Sequence, residues 1–336
     1  MARFLVTGCA GFIGSHLAAR LLEDGHEILG VDSFTDYYSR AAKEDNVRTL
    51  DGHGRFSFLE ADIATTDIEP LADGREGVFH LAAQPGVRGS WGRTFEVYLR
   101  DNILATQRVF EVAAARGLRV VFASSSSIYG DAETHPTSED VRPRPISPYG
   151  VTKLGCEHLA AAYMRGFALD VVGLRYFTVY GPRQRPDMAF TRIATALYAG
   201  RPFRVFGTGE QSRDFTYVAD AVSATIAAME RGISGAMYNI GGGTEASLRD
   251  VIALCERLSG RKLDVTHEDA MAGDVRRTAA DTSRIRADVE WSPQTSLEDG
   301  LRAHLDWAEG AISRAPGAGE SPREDKRRAM RPDVST

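Results

Sequence analysis

The stretch FLVTGCAGFIG, Phe4 to Gly14, decides how the rest of the chain is read. Phe4, Leu5 and Val6 make an apolar run without polar alternation, which suits a strand buried on both faces of a parallel sheet. Gly8, Gly11 and Gly14 follow, and Phe12, Ile13, Leu17, Leu21 and Leu22 then fall at helical spacing up to a capping Gly25. A strand, a glycine turn and a helix in that order build a site for a pyrophosphate. Without Cβ atoms the backbone amides close on the anion, and the helix N-terminus adds partial positive charge. A second expected strand, Glu27 to Val31, runs into Asp32. A carboxylate there accepts hydrogen bonds from an adenosine ribose and repels a 2′-phosphate, so the pattern predicts NAD rather than NADP.

The bulk properties narrow the class. The 336 residues are 43% hydrophobic and 26% charged, the balance of a globular protein with a large core. A net charge of −6 supplies no basic field for nucleic acid. Cys9, Cys156 and Cys255 are scattered and odd in number, with no Cys/His spacing for zinc. No metal is therefore expected, and a reducing compartment is. No apolar run approaches the roughly 20 residues that cross a bilayer, and the first strand starts too early to leave room for a signal peptide. A cytoplasmic protein with no membrane partner is the expectation.

Strand and helix patterns alternate through the first half. Further strands are expected at Phe56–Glu60, Val78–Leu81, Val120–Ala123 and Val171–Leu174, with helices over Val97–Ala115 and Tyr149–Met164. This order predicts an α/β fold, a Rossmann-type doubly wound parallel sheet with ligands at the carboxyl ends of its strands. Residues 33–55 read as a polar insertion holding a short helix and a loop. After Arg175 shorter elements punctuated by Gly-Pro and Arg-Pro pairs predict a smaller C-terminal substrate-binding lobe. The expected division is 1–182 for the NAD-binding domain, joined by a strand near 237–240, and 183–314 for the lobe. Residues 315–336, rich in Pro, Gly and charge, read as a disordered tail.

The strongest chemical signal is the serine run Ser124 to Ser127 with Tyr129-Gly130, followed by Ser147-Pro148-Tyr149-Gly150-Val151-Thr152-Lys153. Pro148 suits the first turn of a helix, and Tyr149 and Lys153 then share one helical face. A lysine ammonium beside a tyrosine favours the phenolate, so Tyr149 can act as a general base on a sugar hydroxyl. A serine at the preceding strand end can hold the same oxygen.

Taken with Asp32, Asp62 and Leu81-Ala82-Ala83, these motifs resemble the extended short-chain dehydrogenases that act on nucleotide sugars, over nearly all of residues 3 to 310. The resemblance implies catalytic roles for Ser125, Tyr149 and Lys153. It also implies cofactor contacts from Gly8, Gly11, Phe12, Ile13, Gly14, Asp32, Asp62, Ile63, Leu81, Ala82, Ala83, Gln84, Asn102 and Tyr176, besides Tyr149 and Lys153. For the nucleotide sugar it implies Arg88, Ser126, Ser127, Thr178, Arg185, Val205, Arg213 and Arg277. Asp36-Tyr37-Tyr38, the run His80 to Arg88, and the run Phe177 to Met188 further resemble UDP-glucuronate 4-epimerases. Pro85 and Gly89 depart from that pattern, which leads one to expect alanine and an aromatic there.

The implied activity is C4 oxidation of a UDP-hexuronate, rotation of the 4-keto sugar and reduction of its other face. A nucleotide-glucuronate decarboxylase shares the first step. Relatives of that kind, and the dehydratases, carry acidic residues after the catalytic Ser/Thr, where this chain has Ser126 and Ser127. A non-catalytic NAD-binding regulator is the third reading, and the retained Tyr149 and Lys153 argue against it. Ala-, Val- and Leu-rich helices over 97–115 and 149–164 imply a homodimer, as in relatives that pair through such helices.

Overall fold

The structure is a computed structural model that describes residues 1–269 and 275–314. The tail expected at 315–336 lies outside the described residues.

Seven parallel strands form the main sheet: β1 (Arg3–Thr7), β2 (Glu27–Asp32), β3 (Phe56–Glu60), β4 (Gly77–His80), β5 (Arg119–Ser125), β6 (Val171–Tyr176) and, much later in the chain, β10 (Met237–Ile240). Their order is β10-β6-β5-β4-β1-β2-β3. Strand order reverses beside β1, between its neighbours β2 and β4, and that switch point opens a crevice at the strands' carboxyl ends. The late strand joins at the edge, with Met237 opposite Gly173 and Ile240 opposite Tyr176.

Period-two burial explains both faces. Phe4, Val6, Phe79, Val121 and Val172 pack on one side against α1 (Phe12–Glu23), α7 (Val218–Arg231) and α9 (Ser283–Val289). Leu5, Val78, Val120, Phe122 and Val171 pack on the other against α4 (Ala105–Arg116) and α5 (Pro148–Phe167). With both faces covered, the strands must be continuously apolar, as their sequences are. The polar insertion after β2 carries α2 (Arg40–Arg48).

One expected helix is not continuous. The stretch 97–115 comprises α3 (Phe95–Tyr98), a π-helical turn over Leu99–Leu104, and then α4. The widened turn carries Asn102 fully inward, where it makes three hydrogen bonds described below, and these stabilise the distortion. Strands β5 and β6 run further than expected, to Ser125 and Tyr176. Two of the residues singled out for the site therefore sit on the sheet itself.

The remaining elements gather around a separate apolar cluster. They are β7 (Thr178–Tyr180), α6 (Ala189–Ala199), β8 (Phe203–Phe206), β9 (Ser212–Tyr217), β11 (Glu245–Ser247), α8 (Leu248–Ser259), β12 (Val265–Glu268) and α10 (Leu297–Arg314). Tyr180, Phe190, Phe203, Phe215, Leu301 and Leu305 are buried together there. Strands β7, β9 and β11 form one small sheet, and β8 pairs with β12 in another.

Candidate active site

A cavity of about 990 Å³ runs along the carboxyl ends of the main strands and on to α6 and β8. That is the upper end of the range for small-molecule sites. Its floor begins at the glycine turn. Gly8 has φ +72°, and a Cβ on it would lie 2.7 Å from the Ala82 backbone nitrogen. The turn and the end of β4 therefore close on each other only with glycine at this position. A Cβ on Gly14 would lie 2.1 Å from the Gly8 carbonyl oxygen, so the first turn of α1 needs glycine as well.

Asp32 ends β2 at the cavity wall. Its Oδ2 accepts from the Ala10 amide at 3.1 Å, and its Oδ1 accepts from the Phe34 amide at 2.9 Å. Burial raises its carboxyl above the usual range, opposed by those amides and by the charge of Lys43. Lys43 is buried in the same wall and donates from Nζ to the Thr35 carbonyl at 2.6 Å. Beside it, the Tyr38 hydroxyl is buried without a hydrogen-bond partner among the described residues. Burial and the Asp32 charge push the Tyr38 phenol up to about 12.

Those features fit a dinucleotide. The glycines leave room for backbone amides to meet a pyrophosphate, Asp32 offers fixed acceptors for a ribose, and Tyr38 holds an unused polar group against the cavity. Asp62, Ile63, Leu81, Ala82, Ala83, Phe12 and Ile13, all expected at the cofactor, line the same cavity.

The catalytic candidates come from adjoining elements. Ser125 is the last residue of β5, and Tyr149 lies in the first turn of α5 with Lys153 one turn on. All three line the cavity. Ser147 caps the helix by accepting from the Gly150 amide at 3.1 Å, and Pro148 opens it, so the helix start is fixed where the tyrosine must be. Lys153 is buried and donates from Nζ to the Ala123 carbonyl at 2.9 Å, bolting α5 to β5. Ser125 Oγ accepts from the Ser127 amide at 3.1 Å and donates to Ser127 Oγ at 3.1 Å. The ring of Tyr98 meets that of Tyr149 edge-on, with centroids 6.3 Å apart. At the end of β4, His80 is buried between the hydroxyls of Thr7 and Thr106. Burial, and secondarily the charge of Lys153, lowers its pKa to about 3, so the ring is neutral.

The structure does not bring every expected residue to the cavity. Asn102 stands behind the wall: its Oδ1 accepts from the Gln84 amide at 2.7 Å, while Nδ2 donates to the Gln84 carbonyl and to Thr152 Oγ1. It ties the main chain of the segment after β4 to the catalytic helix, and Gln84, also expected at the cofactor, does not line the cavity. Val205 is buried in the apolar cluster of the smaller region. Arg277 makes a bidentate pair with Glu245, and Arg213 donates to the Ser212 carbonyl; neither lines the cavity. Arg88, Ser126, Ser127, Thr178, Arg185 and Tyr176 do.

Other residues take the places left open. Arg192 of α6 and Arg204 of β8 line the wall with Arg88 and Phe206. Arg88 lies 4.6 Å from the Phe206 ring centroid and Arg192 lies 6.0 Å from it, so two segments more than a hundred residues apart share one aromatic platform. Burial, then the neighbouring charges of Arg88 and Arg204, lowers the pKa of Arg192. Such crowding of like charge is what an anion relieves. Only the Arg-rich composition around 183–204 hinted at these two. Lys43, too, gave no motif signal.

The profile of the NAD dependent epimerase/dehydratase family matches residues 4–241. The chain is 37% identical over 320 residues to a UDP-glucuronate 4-epimerase of Thermodesulfobacterium geofontis, covering 93% of this chain and 98% of that protein. It is 44% identical over 302 residues to an uncharacterized UDP-glucose epimerase of Bacillus subtilis, covering 89% and 95% of the two. Among solved structures, the UDP-glucuronic acid 4-epimerase of Bacillus cereus, in complex with UDP-glucuronic acid and NAD, superimposes with a TM-score of 0.89. That match has 42% identity and covers 92% of this chain and 99% of that one. A family profile that spans 4–241, with relatives matched over about nine-tenths of the chain, shows that the chain belongs to the NAD dependent epimerase/dehydratase family.

Proposed function

We propose that this chain is an NAD-dependent nucleotide-sugar 4-epimerase that interconverts UDP-glucuronate and UDP-galacturonate through a 4-keto sugar. The observation that carries the reading is one cavity that holds the glycine turn, the Ser125–Tyr149–Lys153 cluster, and Thr178 with Arg185. The similarity to UDP-glucuronate 4-epimerases supports it. Residues 1–182 with β10 serve chiefly the cofactor, and 183–314 chiefly the nucleotide sugar.

The dinucleotide, when bound, supplies reversible hydride exchange at its nicotinamide. The chain's own residues do the rest. Tyr149 removes the proton from the C4 hydroxyl as the hydride leaves, and returns it after the sugar has turned. Ser125 donates a hydrogen bond to the same sugar oxygen. Lys153, anchored on the Ala123 carbonyl, places its amino group one helical turn from the tyrosine. Asp32 fixes the adenosine ribose, and Arg88, Arg192 and Arg204 take the diphosphate.

A 4-keto hexuronate is a β-keto acid. It loses CO₂ when the C5–C6 bond stands perpendicular to the carbonyl plane, because the electrons then flow into the C4 carbonyl. The protein must hold the carboxylate out of that geometry. Thr178 and Ser126 or Ser127 supply neutral donors for this, and Arg185 supplies a charged one.

Val97, Leu104 and Val151 are 40%, 44% and 50% exposed around the π-turn and α5, and we take this face to pair with a second copy of the chain. The three cysteines are buried and free, which suits a reducing compartment, and we take the enzyme to work in the cytoplasm. No helix among the described residues is long and apolar enough to cross a membrane.

Incubating the protein with UDP-glucuronate and resolving the products by NMR tests the reading. UDP-galacturonate is the expected product. A UDP-pentose or its 4-keto form as the main product would overturn it.

A further inference from the structure

Arg185 does not face the cavity alone. Its Nε donates to Asp187 Oδ1 at 3.0 Å and its Nη2 donates to Oδ2 at 3.1 Å. That fork uses one edge of the guanidinium and leaves Nη1 outside the pair. Tyr37, from the segment after β2, donates its hydroxyl to Asp187 Oδ2 at 3.3 Å, and the guanidinium lies 5.7 Å from the Tyr37 ring centroid. All three residues line the cavity. The Arg185 side chain is 19% exposed and that of Asp187 is 40%, so the arginine is the more enclosed partner.

The cluster therefore carries no net charge. A substrate carboxylate approaching Arg185 meets a guanidinium whose field is already opposed by a carboxylate about 3 Å away on its other edge. Coulomb energy falls as 1/r, and a carboxylate docked on Nη1, the nitrogen outside the pair, would stand nearer to Arg185 than to Asp187, so repulsion would cancel only part of the attraction. A neutral hydroxymethyl group feels neither force strongly. It needs a donor and an acceptor, and an arginine–aspartate pair presents both.

We propose that Asp187 sets the discrimination between acidic and neutral sugars: by neutralising Arg185 it holds the preference for a hexuronate below what Arg185 alone would impose, and the subsite accepts a neutral hexose as well. The inference rests on the reading of Arg185, given above, as the residue facing the substituent at C5 of the sugar.

The test uses the NAD-loaded enzyme and two substrates, UDP-glucuronate and UDP-glucose, with kcat/KM measured for each. Asp187→Asn keeps the size and one acceptor oxygen but removes the charge. The ratio of kcat/KM, acid over neutral, is expected to rise about tenfold, chiefly through KM for the acid. Asp187→Glu keeps the charge and is expected to return the ratio to within about threefold of wild type. Unchanged melting temperature and NAD content establish that each variant is folded. An unchanged or lower ratio in Asp187→Asn overturns the proposal, since Asp187 would then serve only to aim Arg185. Arg185→Gln separates this from failure of the underlying reading. A fall in the ratio upholds Arg185 as the acid-facing residue, whereas no change in that variant overturns both claims.

Discussion

The two ends of the cavity are built from different materials. At the cofactor end the decisive groups are held by the backbone: both oxygens of Asp32 accept from main-chain amides, and Lys153 is fixed on a main-chain carbonyl. At the sugar end side chains hold side chains. Arg185 is gripped by Asp187, Tyr37 donates to that same aspartate, and Arg88 rests on Phe206. Backbone contacts persist through most substitutions, because every residue has an amide and a carbonyl. Contacts between side chains vanish with one codon. On the proposed reading the redox half of the site therefore belongs to the fold, while the choice of sugar belongs to a few replaceable residues.

The largest effect expected is at the junction of the two ends. Tyr149→Phe removes only the oxygen that moves the proton, and should lower kcat by about 10²–10⁴-fold. The Tyr149 hydroxyl makes no hydrogen bond to the protein among those described, and its main-chain carbonyl, which accepts from Thr152 Oγ1, is untouched, so the melting temperature should stay within about 2 °C of wild type. Steady-state assay beside a thermal melt reads both. A near-wild-type rate would mean that some other group is the base, and the contrast between the two ends would lose its pivot.

Next in size is the backbone-held carboxylate. Asp32→Ala abolishes acceptors for the Ala10 and Phe34 amides as well as for a ribose, so the glycine turn loses support along with the ligand. Hydrogen bonds to a charged group are worth about 1.5–3 kcal/mol. NAD affinity should fall about 10–100-fold in a titration of cofactor-free protein, and discrimination against NADP should largely disappear. If wild type binds the two cofactors equally, Asp32 does not read the ribose.

The same contrast explains how much was legible in the sequence. The glycine turn, the carboxylate two strands in and the Tyr–Lys pair are close in the chain or fixed by sheet order, so spacing alone located them. Ser125 came from the resemblance instead, because the expected strand stopped at Ala123 and the observed one runs on to Ser125. Asn102, expected as a cofactor contact, stands behind the wall because the π-turn rotates it there, and helical periodicity cannot register one extra residue in a turn. Arg213 and Arg277 looked like phosphate ligands by residue type. In the structure Arg213 donates to the carbonyls of Ser212 and Arg276, and Arg277 is paired with Glu245; the partners Arg276 and Glu245 lie too far along the chain for a local pattern to display. Arg192, Arg204 and Asp187 were missed because the cavity wall they form is assembled from a helix, a small sheet and a loop that carry no recognisable spacing. Lys43 was missed because a buried lysine in a polar insertion looks like a surface one.

At the sugar end a single side chain should change the outcome without stopping the chemistry. Arg185→His shortens the donor and weakens its charge. KM for UDP-glucuronate should rise about tenfold while UDP-glucose is affected less, and CO₂ released per turnover should increase severalfold. Parallel assays of epimer and CO₂ measure this. Equal losses on both substrates would show that Arg185 supports the loop rather than the acid.

The smallest effect expected is at Thr178, the first residue of β7, paired with Phe215 of β9 and half-buried in the cavity wall. Its hydroxyl would contribute one neutral hydrogen bond to the carboxylate, worth about 0.5–1.5 kcal/mol, or a 2- to 12-fold change in binding. The replacement must separate that bond from the strand it sits on. Thr178→Val is the cleaner probe than Thr178→Ala, because valine keeps the β-branch that suits a strand and fills nearly the same volume. Thr178→Ser makes the converse change, keeping the hydroxyl and dropping the methyl. If the hydroxyl restrains the carboxylate, the valine variant should bind UDP-glucuronate a few-fold more weakly and release more CO₂ per turnover, while the serine variant stays near wild type. Should serine and valine behave alike, Thr178 acts by shape, and restraint of the keto acid would then rest on Arg185 and the two serines after β5.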